Sequence, residues 1–313
     1  MTSITAIICT RNRPRLLADC IEGLSANKPE TTGLEMLIVD QSTDAASGRV
    51  VSMWAERDAR VCHIPVDSVG LSRARNVGIA RSSGEIVAFT DDDCVPAPNW
   101  AESIAREFNG NPEVAAVYGR SLPRTKVRPG ERPVAVKASR QPRLFKGRAN
   151  PWSLGHGCNM AFRHEVFDRV GLFDEALGPG GILRNCDDAD FTYRLLRAGL
   201  AALYSPDVLV HHQQFRHGED LWQLEKDYEI GAGALYSKHL RCGDIYVLKL
   251  ILDRWLKAGV AHIIYGFLTG RRTHVRLGWH RIAYSLLGMW MARSLEVSNS
   301  RRVFIECPAG GES

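Results

Sequence analysis

Gly84-Glu85-Ile86-Val87-Ala88-Phe89-Thr90-Asp91-Asp92-Asp93 reads as a turn, an apolar strand and a cluster of three acids at the strand's carboxyl end. In an open α/β sheet, ligands bind beyond the carboxyl ends of the strands. Adjacent carboxylates placed there repel one another and hold their protons more tightly unless a cation neutralises them. Hard divalent cations such as Mg²⁺ and Mn²⁺ take carboxylate oxygens and keep coordination positions open for diphosphate oxygens. A D-x-D at a strand end therefore suits a metal–nucleotide complex. Standing alone, the same residues also fit a solvated acidic turn.

Working outward, strand-like and helix-like stretches alternate. Apolar runs at 5–9, 34–39, 61–64, 85–90 and 114–118 predict strands. Helical spacing over 14–25 puts Leu16, Leu17, Cys20, Ile21 and Leu24 on one side, and further helices are expected over 52–59, 72–81 (capped by Ser72) and 99–108. This alternation predicts an α/β fold, a mostly parallel sheet sandwiched by helices. Residues 120–151 hold five prolines and little periodicity, and read as a long loop or flap. Beyond it come a short helix at 164–170, a glycine-rich stretch at 178–181 and a helix over 187–198 closed by Gly199. Two strands, 201–204 and 208–210, and a longer helix over 219–239 follow. The domain reading is a sheet domain over 1–242, comprising a nucleotide-binding half (1–119), a basic flap (120–150) and a catalytic half (151–242). A helical, amphipathic C-terminal appendage spans 243–313.

The 313 residues are 45% hydrophobic and 24% charged, which excludes disorder, collagen and coiled coil as the dominant state. The eight cysteines show no C-x-x-C pair, and the N-terminus does not read as a secretory leader, so they are expected as reduced thiols in the cytoplasm. The net charge of +5 is uneven: +9 over 120–150, +5 from Gly243 onward, and −9 in the remainder. In the tail, stretches rich in Leu, Ile, Trp and Tyr at 245–268 and 282–295 carry Lys249, Arg254, Lys257, Arg271, Arg272, Arg276, Arg281 and Arg293 within or beside them. The longest uncharged stretch, 258–270, falls short of the roughly 20 residues a spanning helix needs. Such a tail suits either an interfacial helix on an anionic membrane or an appendage packed on the main domain.

The other strand ends gather polar groups at the same edge as the acids. They are Thr10-Arg11-Asn12-Arg13, Asp40-Gln41-Ser42-Thr43-Asp44, and the helix start Ser72-Arg73-Ala74-Arg75-Asn76. Asp40 can accept from a base N–H or a sugar hydroxyl, and Arg73 and Arg75 can meet phosphate oxygens. No G-x-G-x-x-G follows the first strand, which argues against a dinucleotide-binding dehydrogenase. Asp188 opens a predicted helix, where an acid either serves chemistry or simply suits the helix dipole.

With T-x-N-R at 10–13, V-D-x-S-x-D at 39–44, A-R-N-x-G at 74–78, the D-x-D, G-C-N-M-A-F-R at 157–163, G-L-F-D-E at 171–175, D-D-A-D-F at 187–191 and P-D-V-L-V-H-H at 206–212, the sequence resembles the family 2 glycosyltransferases of GT-A fold. The resemblance covers roughly residues 4–212. It implies an inverting transferase that uses a nucleoside-diphosphate sugar, with UDP favoured, and a Mg²⁺ or Mn²⁺ ion. It implies that Thr10, Arg13 and Asp40 hold the nucleoside, that Arg73 or Arg75 approaches the diphosphate, and that Asp91 and Asp92 touch the donor. Asp93 and Asp91 would ligate the metal with His211, or with its neighbour His212. Asp188 would be the general base. Gly157, Asn159, Trp152 and Asp187 would face the donor sugar or the acceptor, with Asp187 standing where the family usually has Glu. The partner it implies is a glycan or lipid-linked acceptor, with no nucleic acid; the basic, amphipathic tail, outside the resemblance, adds an anionic membrane surface at the inner face of the cell membrane as an expected partner. A sugar-nucleotide nucleotidyltransferase would want a glycine-rich, lysine-bearing first loop, which is missing; a non-catalytic scaffold of the same fold is the other alternative.

Overall fold

The computed structural model describes residues 2–128 and 130–305; residues 1, 129 and 306–313, among them Cys307, lie outside the described residues. Strands β1 (Thr2–Thr10), β2 (Thr32–Asp40), β3 (Val61–Pro65) and β4 (Ile86–Asp91) form a parallel block. They are connected by α1 (Pro14–Ser25), α2 (Ala46–Ala55) and α3 (Leu71–Arg81). Next come β5 (Cys94–Pro96), α4 (Trp100–Gly110), β6 (Val114–Pro123), β7 (Arg132–Pro133), β8 (Arg143–Phe145), β9 (Asn159–Arg163) and α5 (Val166–Val170). They are followed by α6 (Asp187–Arg197), β10 (Ala201–His212) and β11 (Phe215–Arg216). The main sheet has nine strands in the order β3-β2-β1-β4-β9-β6-β10-β5, with β8 beside β10. Strand β9 runs against both β4 and β6, while β6 and β10 are parallel.

Alternation along β1 sends Ile4, Ala6 and Ile8 into a core completed by Leu17, Cys20, Ile21 and Leu24 of α1 and by Trp100, Ile104 and Phe108 of α4. The opposite face takes α3, which comes close because residue 78 is glycine: a Cβ there would lie 2.6 Å from Ile7 Cγ2. Helices thus cover both faces, as the alternation of elements predicts.

Several expected boundaries move. The helix expected over 52–59 runs Ala46–Ala55, because the Asp44 carboxylate accepts the Ala46 N–H and starts the helix earlier. Ser72 is the second residue of α3 and not its cap; the N-cap is Gly70, at φ 130°, a conformation that favours glycine. The two strands expected at 201–204 and 208–210 are one, β10, whose register shifts between Ser205 and Leu209. The basic flap is tied down in places: Lys137 pairs with Ser121 through the backbone and donates to the Ser153 carbonyl.

The chain packs as two compact units. The first runs to Leu172 and resumes over Phe191–His217, and holds the nine-stranded sheet. The second comprises Phe173–Asp190 and the chain from Gly218 onward. It contains α7 (Gly218–Arg241), α8 (Tyr246–Leu252), a π-helical segment Asp253–Val260, α9 (Ala261–Thr269), α10 (Arg272–Ala292) and the hairpin β12 (Glu296–Ser298) and β13 (Val303–Ile305). The sequence reading drew one boundary, at 242/243. Helix α7 instead belongs with α10, because two glycines let their backbones meet: a Cβ on Gly233 would lie 1.9 Å from the Ser285 carbonyl oxygen, and one on Gly288 2.0 Å from that of Ile230. Among the described residues no helix is long and apolar enough to cross a membrane.

Candidate active site

Parallel register sets the first unit's site. Thr10 pairs with Asp40 and Cys9 with Asp91, so the ends of β1, β2 and β4 form one polar edge. Asp40 accepts the Ser42 N–H at 2.9 Å, and its other oxygen lies 3.1 Å from His63 Nε2. A cleft of about 600 Å³ opens here, lined by Asp40, Ser42, Asp44, Arg49, His63 and Asp67 among others.

At the end of β4 the three acids separate by role. Asp91 is half-buried and its Oδ1 lies 3.4 Å from Arg75 Nη2; the same guanidinium group donates to the Gly157 carbonyl at 3.3 Å. Asp92 is buried and takes the Thr10 hydroxyl at 2.8 Å and Arg13 Nη1 at 3.2 Å. Asp93, also buried, meets Arg13 Nη1 at 3.3 Å, the Gln214 amide, and His212 Nε2 at 3.4 Å. Burial, resisted by Arg13 and reinforced by Asp93, pushes the Asp92 carboxyl up to about 7. Burial and the Asp91 charge push Asp93 up to about 6. Burial lowers His212, which favours neutral imidazole. Burial works against the Arg13 charge, but Asp92 and Asp93 outweigh it and the guanidinium holds its proton more tightly.

Asp91, Asp93 and His212 each offer a ligand atom, all within 4.8 Å of one another. Two carboxylates and an imidazole kept neutral by burial are a donor set that fits Mn²⁺ or Mg²⁺. The buried sulfurs of Cys94 and Cys158 lie in the same range of His212, but thiols are softer donors than these cations prefer.

The sequence reading placed His211 at the metal, with His212 as its alternate. The structure puts His212 beside Asp93, because β10 pairs antiparallel with β5 and sets His212 opposite Cys94. Side chains alternate along a strand, so His211 points to the other face. Thr10 and Arg13, expected on the nucleoside, spend the contacts above on Asp92 and Asp93, and Asp92 is itself a buried counter-charge for Arg13. Asn159, expected to face the sugar or acceptor, has its whole amide engaged elsewhere. Its Nδ2 donates to the carbonyls of Arg120 and Val208, both at 2.9 Å, and its Oδ1 accepts Trp100 Nε1 at 2.9 Å. Arg75 is buried, whereas Arg73 is half-buried in the first turn of α3. Trp152 is 37% exposed, and its N–H donates to the Asn150 side chain.

In the second unit, Asp187 and Asp188 open α6; Asp187 is buried, and half-buried Asp188 accepts the Ala189 N–H at 2.7 Å. Beneath them is a cluster no spacing rule reveals. Lys238 Nζ bridges Asp174 and Asp190, at 2.8 Å from Asp190, and His239 Nε2 lies 2.9 Å from the same Asp190 oxygen. All four side chains are buried. Gln214 was likewise missed, being one uncharged polar residue in a loop.

A mixed sheet with a metal-fit acid cluster at its carboxyl edge beside a polar-lined cleft defines a GT-A type fold. Its likeness to the mannosyltransferase PcManGT from Pyrobaculum calidifontis, solved with GDP-Man and Mn²⁺, has a TM-score of 0.66 at 22% identity, covering 92% of this chain and 87% of that one. S. aureus TarS with UDP-GlcNAc gives 0.57 at 16% identity, over 75% and 65%. The Glycosyl transferase family 2 sequence model matches residues 5–171, and the chain belongs to that family. Pre-mycofactocin glycosyltransferase of Mycobacterium tuberculosis is 28% identical over 285 residues, 86% of this chain and 57% of that protein. The chain thus spans little more than half of that relative's length. Glucosyl-dolichyl phosphate glucuronosyltransferase of Haloferax volcanii is 24% identical over 258 residues, 76% of each chain.

Proposed function

We propose that the protein is an inverting glycosyltransferase. It moves one sugar from a nucleoside-diphosphate sugar, UDP-linked by the family resemblance, to a hydroxyl of a glycan or lipid-linked acceptor. The observation that carries this reading is the Asp91–Asp93–His212 donor set at the strand edge that also holds Asp40 and its cleft. Asp40, which lines the cleft, accepts from the base or ribose. Arg73, half-buried in α3's first turn, meets the diphosphate. Buried Arg75 fixes Asp91 against the Gly157 carbonyl and so orients it. Asp91, Asp93 and His212 would hold a divalent ion, which offsets the negative charge that gathers on the departing diphosphate. In the transfer, the acceptor oxygen bonds to the anomeric carbon, the bond from that carbon to the diphosphate oxygen breaks, and Asp188 takes the acceptor's proton. A cytoplasmic location fits the supply of nucleotide sugars and the seven free thiols among the described residues.

The test is product analysis with a panel of nucleotide sugars and Mn²⁺. Nucleoside diphosphate release that EDTA stops and Mn²⁺ restores is expected; pyrophosphate exchange would point to a nucleotidyltransferase. Asp188→Asn is expected to keep donor-induced thermal stabilisation and lose transfer by about 100-fold or more. Near-normal turnover of that variant refutes its role as base.

A further inference from the structure

Exposed large apolar side chains gather in the second unit, not at the acid cluster, between Ile245 and Leu268. Helices α8 and α9 and the π-helical segment between them run without interruption from Tyr246 to Thr269. One row of side chains along this rod, beginning one residue before it, stays open to solvent: Ile245, Leu248, Leu252, Leu256, Val260, Ile264 and Leu268. Their spacing is three residues, then four throughout. In an α-helix a row of residues four apart drifts around the axis by roughly 40° per step. The wider turns of the π segment rotate less per residue and take back part of that drift, which keeps the row on one side. The opposite side supplies Val247, Leu250, Ile251, Gly259 and Gly266 to the interior. The row ends at the two most exposed large apolar side chains, Phe267 at 72% and Leu268 at 81%, next to a turn through Gly270 into Arg271 and Arg272.

We infer that this row lies flat on an anionic lipid leaflet, with the Phe267–Leu268 tip inserted among the acyl chains and Arg271 and Arg272 at the headgroups. The rod is about 36 Å long at 1.5 Å per residue, a lengthwise footprint rather than a crossing. Charge selects the occupant. Residues 245–293 carry eight Lys or Arg against one acid, Asp253, and that acid is engaged by Lys249 at 2.9 Å and Lys257 at 2.6 Å. A second copy of this chain seated on the row would bring like charges together, whereas anionic headgroups complement them. The surface stands independently of the transfer chemistry.

The test is co-sedimentation of the full chain with vesicles of phosphatidylcholine alone or mixed with phosphatidylglycerol. Binding to the mixed vesicles that weakens with salt is expected. Leu252→Ser/Leu256→Ser/Leu268→Ser changes three side chains that are each more than half exposed, so the fold is kept, as circular dichroism checks. It is expected to lose vesicle binding by at least tenfold. Arg271→Gln/Arg272→Gln is expected to lose about fivefold per arginine at low salt and to flatten the salt dependence. Unchanged binding by the leucine variant overturns the inference. So does a concentration-dependent dimer in sedimentation velocity that the leucine variant abolishes, since the row would then bind a second copy. Thermal stabilisation by nucleotide sugar reports the donor site separately.

Discussion

At the scale of single residues, the acids announce themselves and their partners do not. The carboxylates of Asp91 and Asp93 are legible because the acid run ends an apolar strand and polar groups at the other strand ends gather beside it; alone it would also fit a solvated turn. Which of two adjacent histidines joins them is settled by the antiparallel pairing of β10 with β5, a long-range register that no local pattern encodes. His212→Ala is therefore expected to weaken Mn²⁺ binding by about tenfold or more, the scale on which even supporting groups of metal sites act, while His211→Ala leaves it within twofold. Isothermal titration or the Mn²⁺ electron-spin signal distinguishes the two. Asn159 shows the opposite failure: a polar residue in a family motif invited a substrate role, yet its amide joins β6, β10 and α4. A simpler pair carries a pH signature. Arg60 donates to Asp58 and holds that carboxyl down at about 2 from its ordinary 3.8. A depressed folded-state pKa contributes stability that is present above about pH 4 and is lost as pH falls toward 2. The difference in melting temperature between wild type and Asp58→Asn is expected to be largest at neutral pH and to shrink steadily below pH 4.

At the scale of elements, the parallel block was readable because its strands are short apolar runs separated by helix-length stretches, although α3 buries Ser72, Arg75 and Asn76 rather than a purely apolar face. Helix α1 shows this best: spacing picks out Leu16, Leu17, Cys20, Ile21 and Leu24, and all but half-buried Leu16 are buried. The flaws came where a local bond overrides periodicity, as Asp44 does at the start of α2, or where a bulge runs through an apparent break, as in β10. Helix α7 looked continuous with the sheet domain, and its allegiance to α10 rests on glycines whose meaning depends on which backbone faces them. The same helix carries Lys238. Lys238→Met leaves Asp174 and Asp190 without their shared buried ammonium group, and is expected to cost about 3–5 kcal/mol in a urea titration. The loss should appear with donor-induced stabilisation intact at temperatures below the melt.

At the scale of the whole molecule, charge and connectivity say more than size. The tail's positive charge and apolar stretches pointed toward an interface from composition alone; the hairpin of β12 and β13 did not, because its anchor is Phe304, whose N–H bonds to distant Asp174 at 2.9 Å. Three times the chain passes from one unit to the other: after Leu172, after Asp190 and after His217. Shortening the protein to residues 1–217 strands 173–190 without the helices that bury them, and is expected to give an aggregating product with reduced helical ellipticity even though every residue of the family match survives. Attempts to trim this enzyme to a minimal catalyst are thus governed by an awkward interleaving. Asp174 is held both by Lys238 and by the N–H of Phe304, so the second unit's buried ion cluster cannot close until residue 304 has been synthesised.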